Sequence, residues 1–575
     1  MKKMYITGVL TMVLPLSLMA QKDTIERNVV VERDFQPVIR SAGKLNTPLQ
    51  QVETTIEPVE LQFSDYSNPL DASFNVKPLG VSTIRFTHRK PQNGYVKVGG
   101  GYPLTTAEFG YQMNHKKTLQ LNIFGKHNGQ WGVKTWSESQ LGLNLTTNLE
   151  KGKIFFQVDG NNLFYSLYGR YFEGDKKLGV SKFKDLKKDD LQNLWTINTD
   201  LGFSSKFESS FQIKAEAGYT AFIMPDAVTE SIIRSHLWMG WQNEEHTIAV
   251  NIRGSNAFLA VNEKMGIAAS KYNARHGIRF EPYYEYRADN WNVHAGVNID
   301  MNIGKGRLLS GNEDLSFAPS PNVEVEYRII PSWLAVYGSA KGEFGYGLHK
   351  DFMLSNPYRN PELGITSHHV ANYTPVDAMV GFKIKAADGL LLDIYGGYAK
   401  LNNQTTMCVP TINYLTVYQD KYLDYFYSDY HRWKAGAEIT YHYQDIIHIL
   451  LGGNYYHWTM DKTDPYDVHG LIEIKKQPYD RPKWDAHLRI DVNINSKWSL
   501  YSDNIAVGTR KALLQDGSVV ELKPVIDLRL GVQYNMNRWL SFYGQLNNYL
   551  HRFNDIYYGY QSQGINGEIG LTWKF

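Results

Sequence analysis

From Gly94 onward the chain is a succession of segments that alternate apolar and polar residues one by one, joined by connections that are very short and long by turns along most of its length. The period of two decides the element type. In Trp291–Ile303 one face carries Trp291, Val293, Ala295, Val297, Ile299 and Met301, the other Asn292, His294, Gly296, Asn298, Asp300 and Asn302. This pattern fits a strand and no helix. Lys483–Ile494 repeats it, as do Ile526 to Tyr534 and Phe211 to Tyr219. The short connections have tight-turn compositions: Glu150-Lys151-Gly152, Phe207-Glu208-Ser209, Asn243-Glu244-Glu245, Ala288-Asp289-Asn290, Pro331-Ser332, Ala387-Asp388-Gly389, Gln444-Asp445, Asn495-Ser496-Lys497 and Asn537-Arg538. Between them long connections are expected near 161–192, 259–275, 304–320, 347–373, 402–430, 459–482, 508–523 and 552–563, with Thr411–Gln419 able to add strand. Greek-key sandwiches have no reason to alternate so regularly, whereas a bilayer-spanning barrel has short turns on one side and longer loops on the other. The expected fold is all-β: a transmembrane antiparallel β-barrel of about 22 strands, with short periplasmic turns and long extracellular loops.

Both ends of the chain agree with that placement. Ile569, Leu571, Trp573 and Phe575 share one strand face, while Glu568, Gly570, Thr572 and Lys574 share the other. This ending resembles the closing strand of Gram-negative outer-membrane barrels, whose chains commonly finish on an aromatic residue. The resemblance implies that Ile569, Leu571, Trp573 and Phe575 form the strand handled by the outer-membrane barrel assembly machinery. At the start, Lys2 and Lys3 precede an apolar run from Tyr5 to Leu18 and then Leu18-Met19-Ala20. This reads as a signal peptide over 1–20, since a spanning helix needs roughly 20 apolar residues. Beyond it no stretch is long and apolar enough for a membrane helix, which excludes a helical inner-membrane protein but not a barrel whose strands need only about 9–11 residues. The expected location is the outer membrane.

Interfacial aromatics give a further check. Tryptophan follows directly on four of the short turns, as Trp291, Trp333, Trp498 and Trp539. With Trp573 and Phe575 they are expected to form the inner girdle at headgroup level, in contact with outer-membrane lipids. A formal net charge of +2 gives no electrostatic reason for a nucleic-acid partner. The single Cys408 excludes an internal disulfide and reads as an incidental loop thiol.

In strand number, turn pattern and terminal strand, Gly94–Phe575 resembles the barrel of the TonB-dependent outer-membrane transporters. That resemblance implies solute uptake, and in the family a plug domain of well over a hundred residues and a short TonB box precede the barrel. Only 21–93 is available here, too little for an ordinary plug. Its prolines Pro37, Pro48, Pro58, Pro69 and Pro78 resist a continuous helix or central strand and suit an extended periplasmic or lumen segment. The run Asp23-Thr24-Ile25-Glu26-Arg27-Asn28-Val29-Val30-Val31 loosely resembles a TonB box. Val29, Val30, Val31, Asp34, Phe35 and Pro37 are therefore the candidate partner-binding segment, by strand addition to TonB. The alternative function is a non-transporting scaffold for surface or periplasmic lipoproteins, or for an export or assembly complex.

Chemistry-bearing clusters are sparse. Ser367-His368-His369 lies in a long connection with no assignable partner, so no catalytic residue is expected. Asp461, Asp464 and Asp467 lack calcium-loop spacing and Gly304-Lys305-Gly306-Arg307 lacks phosphate-loop spacing, so no metal or cofactor is expected. Lys176, Lys177, Lys182, Lys184, Lys187 and Lys188, mixed with Asp175, Asp185, Asp189 and Asp190, read as a solvated outer loop. A bare barrel of this size would leak, so the N-terminal segment, inward-folded loops or another subunit must fill it.

Overall fold

A computed structural model describes residues 93–115, 118–169, 190–205, 210–225, 227–262, 275–303, 315–361, 372–408, 422–463, 474–514 and 517–575. The strands are β1 (Gly94–Tyr102), β2 (Leu104–His115), β3 (Leu119–Gln130), β4 (Trp136–Leu149), β5 (Gly152–Ser166) and β6 (Leu191–Ser205). Then come β7 (Phe211–Met224), β8 (Val228–Gln242), β9 (His246–Val261), β10 (Arg275–Arg287), β11 (Trp291–Ile303) and β12 (Leu315–Ile330). After β13 (Leu334–Phe344) a short helix α1 (His349–Ser355) intervenes, followed by β14 (Tyr373–Ala387), β15 (Leu390–Cys408), β16 (Asp424–Tyr443) and β17 (Ile447–Thr463). The last group is β18 (Trp484–Asn493), β19 (Trp498–Val507), β20 (Arg510–Leu513), β21 (Val519–Leu522), β22 (Val525–Asn535), β23 (Leu540–Asn547), β24 (Asp555–Tyr557), β25 (Tyr560–Gln561) and β26 (Asn566–Lys574).

Each barrel strand pairs antiparallel with the next, and β26 pairs back onto β1 from Lys574↔Tyr95 to Gly567↔Tyr102, closing the sheet. The small hairpins β20–β21 and β24–β25 stand at the outer rim, which leaves a closed barrel of 22 strands. Closure removes the exposed sheet edge and leaves no unpaired row of backbone groups facing hydrocarbon. At the turn end, the Gly94 amide donates to the Phe575 carbonyl at 3.0 Å and the Phe575 amide to the Gly94 carbonyl at 2.9 Å.

Burial is inverted relative to a water-soluble sheet, as expected for a wet lumen inside lipid. On β26, Ile569 is 75% exposed while Glu568 is 5% and Thr572 2% exposed. Leu141, Leu201, Phe211, Ile248, Phe317, Val380 and Trp433 likewise point outward. Inward polar side chains pair across strands, Asp159 with Asn198, Arg279 with Asp300 and Lys383 with Glu326, and Arg489 pairs with Asp491 along β18. Charges are tolerable there because each has a partner or water, which hydrocarbon could not supply.

The short turns explain the tryptophans that follow them. The Asn537 Oδ1 accepts from the amides of Trp539 and Leu540, and the Asn495 Oδ1 from those of Lys497 and Trp498, so each Asn side chain ends its turn and starts the next strand. Trp291, Trp333, Trp498 and Trp539 all lie outward at this rim. Gly389 closes the β14–β15 turn at φ 76°, a conformation natural to glycine.

Several expected outer connections are shorter than the sequence suggested. Strand continues through much of 402–430, since β15 reaches Cys408 and β16 starts at Asp424, and β12 begins at Leu315 rather than after 320. The strands outrun the bilayer there: β16 has 20 residues, whereas β23 has 8 and β1 has 9. Cys408 is correspondingly not a loop thiol but a buried strand-end residue packed with Phe426, Tyr430, Met460 and Leu513. The barrel wall is thus tall along β15–β17 and low where the chain closes on itself. The signal peptide, the segment 21–93 apart from Asn93, Phe207-Glu208-Ser209 and Thr411–Gln419 lie outside the described residues.

Candidate functional site: an aromatic cap over the barrel mouth

The outer connections are not uniformly polar, and their apolar residues meet one another. Leu167 and Tyr168 after β5, Phe352 and Met353 on α1, Tyr422, Leu423, Tyr425 and Tyr427 around the start of β16, and Tyr560 on β25 form one buried cluster with Tyr165, Leu194 and Phe222 of the wall. These residues come from widely separated strands, so their contacts cross the mouth.

The connection between β13 and β14 is the centre of this cap. At its start the Arg275 guanidinium donates to the carbonyls of Tyr346 and Gly347. The Glu230 carboxylate on β8 then accepts from the amides of His349 at 3.0 Å and Lys350 at 2.7 Å, occupying donors that α1 leaves unused at its first turn. Past the helix the Tyr165 hydroxyl donates to the Pro357 carbonyl at 2.8 Å. The Tyr358 ring lies 4.1 Å from that of Tyr560 and edge-on to Tyr165 and Tyr168. The chain next pairs with the entry to β16, Leu423 donating to Tyr358 and Asn360 to Leu423.

A second tie comes from the last outer connection. The Tyr168 hydroxyl donates to the Gln561 carbonyl at 2.8 Å, Lys134 Nζ to the Ser562 carbonyl at 2.7 Å, and Arg510 to the Ile556 carbonyl at 2.7 Å. Burial lowers the Lys134 ammonium to about 8, and burial, then the Arg275 charge, lowers the His349 imidazole to about 3. Burial, then Asp300, which accepts its hydrogen bond, raises the Tyr346 phenol. His349 and Tyr346 are thus uncharged at neutral pH, as suits a closed, dry cap.

The arrangement can obstruct passage, and among the described residues nothing in it resembles a nucleophile, base and oxyanion site. Asp461 sits at the end of β17, 3.9 Å from His431, while Asp464 and Asp467 lie outside the described residues, as do Ser367-His368-His369 and Gly304-Lys305-Gly306-Arg307. Among the described residues no three His, Cys, Asp or Glu side chains group as for a metal ion. Of the charged connection at 175–190 only Asp190 is described, and it is buried rather than solvated. Val29, Val30, Val31, Asp34, Phe35 and Pro37 also lie outside the described residues, whereas Ile569, Leu571 and Trp573 lie on β26 and Phe575 follows its last residue. The cap itself was not singled out from sequence. Its signal was present in Tyr422-Leu423-Asp424-Tyr425-Phe426-Tyr427 and Phe352-Met353-Leu354, apolar runs where outer loops are expected to be polar.

No protein-family model matches the chain, and no curated protein matches its sequence. Solved structures do match in shape. The FrpB iron transporter of Neisseria meningitidis superposes with a TM-score of 0.62 at 9% identity, covering 84% of this chain and 82% of its own. The copper transporter OprC gives 0.60 at 11% identity, with 85% and 82% covered. A ferric enterobactin receptor mutant of Pseudomonas aeruginosa gives 0.59 at 10% identity, with 84% and 80% covered. In fold, then, this chain is an outer-membrane β-barrel similar to the TonB-dependent receptors.

Proposed function

We propose that this barrel takes up a solute across the outer membrane through a polar lumen whose outer mouth is held shut by its own loops. The observation that carries the reading is the cap: hydrogen bonds and stacked rings from β5, β8, the β13–β14 connection and the β24–β25 hairpin converge over the mouth. A structure used only as an anchor has no need of such a closure. The solved structures of similar shape include an iron transporter and a copper transporter. On this reading TonB engages the N-terminal segment, with Val29, Val30, Val31, Asp34, Phe35 and Pro37 supplying the added strand. The test compares solutes depleted from the medium by cells with the chain, without it, and with Val29–Val31 replaced by glycines. Loss of one solute's depletion in both altered strains, and recovery of TonB with the wild type, is the expected result; equal depletion in all three contradicts it.

The scaffold reading has its own support. Where the wall is low, Tyr102, Trp131, Leu550 and Phe553 are each half or more exposed, and such a patch suits a protein seated on the rim. Stoichiometric surface lipoproteins in native-membrane preparations, with no change in solute depletion, is the outcome that favours it.

A further inference from the structure

The barrel wall is shortest where it closes. β23 has 8 residues, and β1 and β26 have 9 each. At about 3.4 Å per residue and a tilt of about 40°, β23 rises about 20 Å, whereas the apolar band that such a barrel shows to lipid is about 25 Å tall. Trp539 and Trp573 hold the turn end of these strands at the inner interface, so the shortfall of about 5 Å falls at the outer end.

What stands beyond the short strands is apolar. Tyr102 lies on the outward face of β1 with Val98, and Trp131, just past β3, meets its ring edge-on at 5.3 Å. Leu550, Phe553 and Ile565, from the connection between β23 and β26, are 50%, 53% and 40% exposed. Lys134 Nζ lies 5.1 Å from the Phe553 ring and joins this connection to the one that carries Trp131. The patch continues the outward faces of β23 and β26, where Leu546 and Ile569 are exposed to lipid.

A connection bathed in water can leave its backbone to water, but this one is paired throughout by its own side chains. Asn548 Nδ2 donates to the carbonyls of Arg552 at 2.5 Å and Gln563 at 2.7 Å, and its Oδ1 accepts from the Arg552 amide at 3.1 Å. The Asn554 amide donates to the Ser562 hydroxyl at 3.0 Å, the Ser562 amide to the Asn554 carbonyl at 2.7 Å, and the Ile565 amide to His551 Nδ1 at 3.1 Å. Lipid offers neither donor nor acceptor, so backbone at the edge of hydrocarbon has to be satisfied in this way. The other side of the connection is committed to the cap through the Tyr560 ring and the Gln561 carbonyl.

We propose that Leu550, Phe553 and Ile565, together with Tyr102 and Trp131, are immersed in the outer leaflet, so that the last outer connection completes the lipid-facing wall where the strands stop short. This goes beyond the uptake reading and does not depend on what the barrel carries. A scaffold would offer the same patch to a protein, and the test separates the two occupants. Full-length protein in phosphatidylcholine vesicles is spin-labelled through one introduced cysteine, L550C or F553C, with I569C as the lipid reference and K151C, in the short turn after β4, as the water reference. Cys408 is buried and stays unlabelled. Labels at 550 and 553 are expected to collide with dissolved oxygen as often as I569C does, and several-fold less often than K151C with a water-soluble nickel chelate. Should either label disturb folding, Trp131 gives a second measure: lipid brominated near the headgroup is expected to quench the emission that separates wild type from W131F. Nickel collisions at the level of K151C, or a Trp131 emission that brominated lipid leaves unchanged, overturn the proposal by placing the patch in water. Labels shielded from both oxygen and the nickel chelate overturn it as well, since a polypeptide then covers the patch.

Discussion

The Tyr165 hydroxyl donates to the Pro357 carbonyl at 2.8 Å, linking the top of β5 to a connection 192 residues away across the barrel mouth. Tyr165 has no exposed surface, so replacing it with phenylalanine keeps the ring and leaves a carbonyl without its donor. The cost to cap closure is about 1–2 kcal/mol. Tyr165→Phe is expected to show brief opening events in single-channel recordings that the wild type lacks, with the barrel's thermal transition unmoved.

Tyr358 touches Tyr165, Tyr168, Tyr557 and Tyr560, four rings from two other parts of the chain. Tyr358→Ala removes all four contacts and is expected to loosen the cap by about 3 kcal/mol. Hydrogen exchange of amides 352–360 is the measurement, and it is expected to accelerate at least tenfold while that of β6–β12 stays constant.

Cap closure should weaken in acid. The undocked His349 imidazole takes a proton near its ordinary 6.5, whereas the docked ring, buried and facing Arg275, resists to about 3. Docking is therefore at full strength above pH 6.5 and falls as the pH drops toward 3, with about 2 kcal/mol lost by about pH 5. Lys134 acts in the same sense at the alkaline end, its docked ammonium titrating near about 8 against 10.5 when free, so that docking strengthens as the pH rises between these values. Channel openings are expected to become frequent near pH 5 in the wild type and to stay rare in His349→Gln.

At the seam, Tyr543 of β23 lies against Gly570 of β26 and reaches Gly99 of β1, where an added Cβ would meet the ring. Lys97 stands 4.8 Å above that ring. Gly570→Val is expected to drive Tyr543 off the seam and lower the barrel's thermal transition through overpacking of about 1–3 kcal/mol. The electrophoretic shift of heated against unheated protein measures this, and Gly544→Val, whose neighbours leave ordinary contact distances, is expected to change little.

The barrel was legible because lipid on one side and water on the other impose alternation on every strand. Trp291–Ile303 could be bounded to the residue, and the closing strand, which ends at Lys574, could be assigned its faces. The turns were legible for a local reason, since Asn495 and Asn537 cap their own turns through side-chain oxygens. Strand ends at the outer rim were not, because β15 and β16 leave the bilayer still paired and alternation there no longer reports on lipid. The cap was hidden for a different reason: its contacts join residues far apart in sequence, as with Tyr168 and Gln561, 393 positions apart. Periodicity carries no record of such pairs.

The central claim is that this barrel is shut at its outer mouth by its own loops, and conductance in planar bilayers tests it most directly. Full-length protein is expected to conduct almost no current, and replacing 346–361 by a short glycine-serine linker is expected to produce large, stable openings. A wild type that conducts freely, or a linker variant that stays closed, would contradict the account.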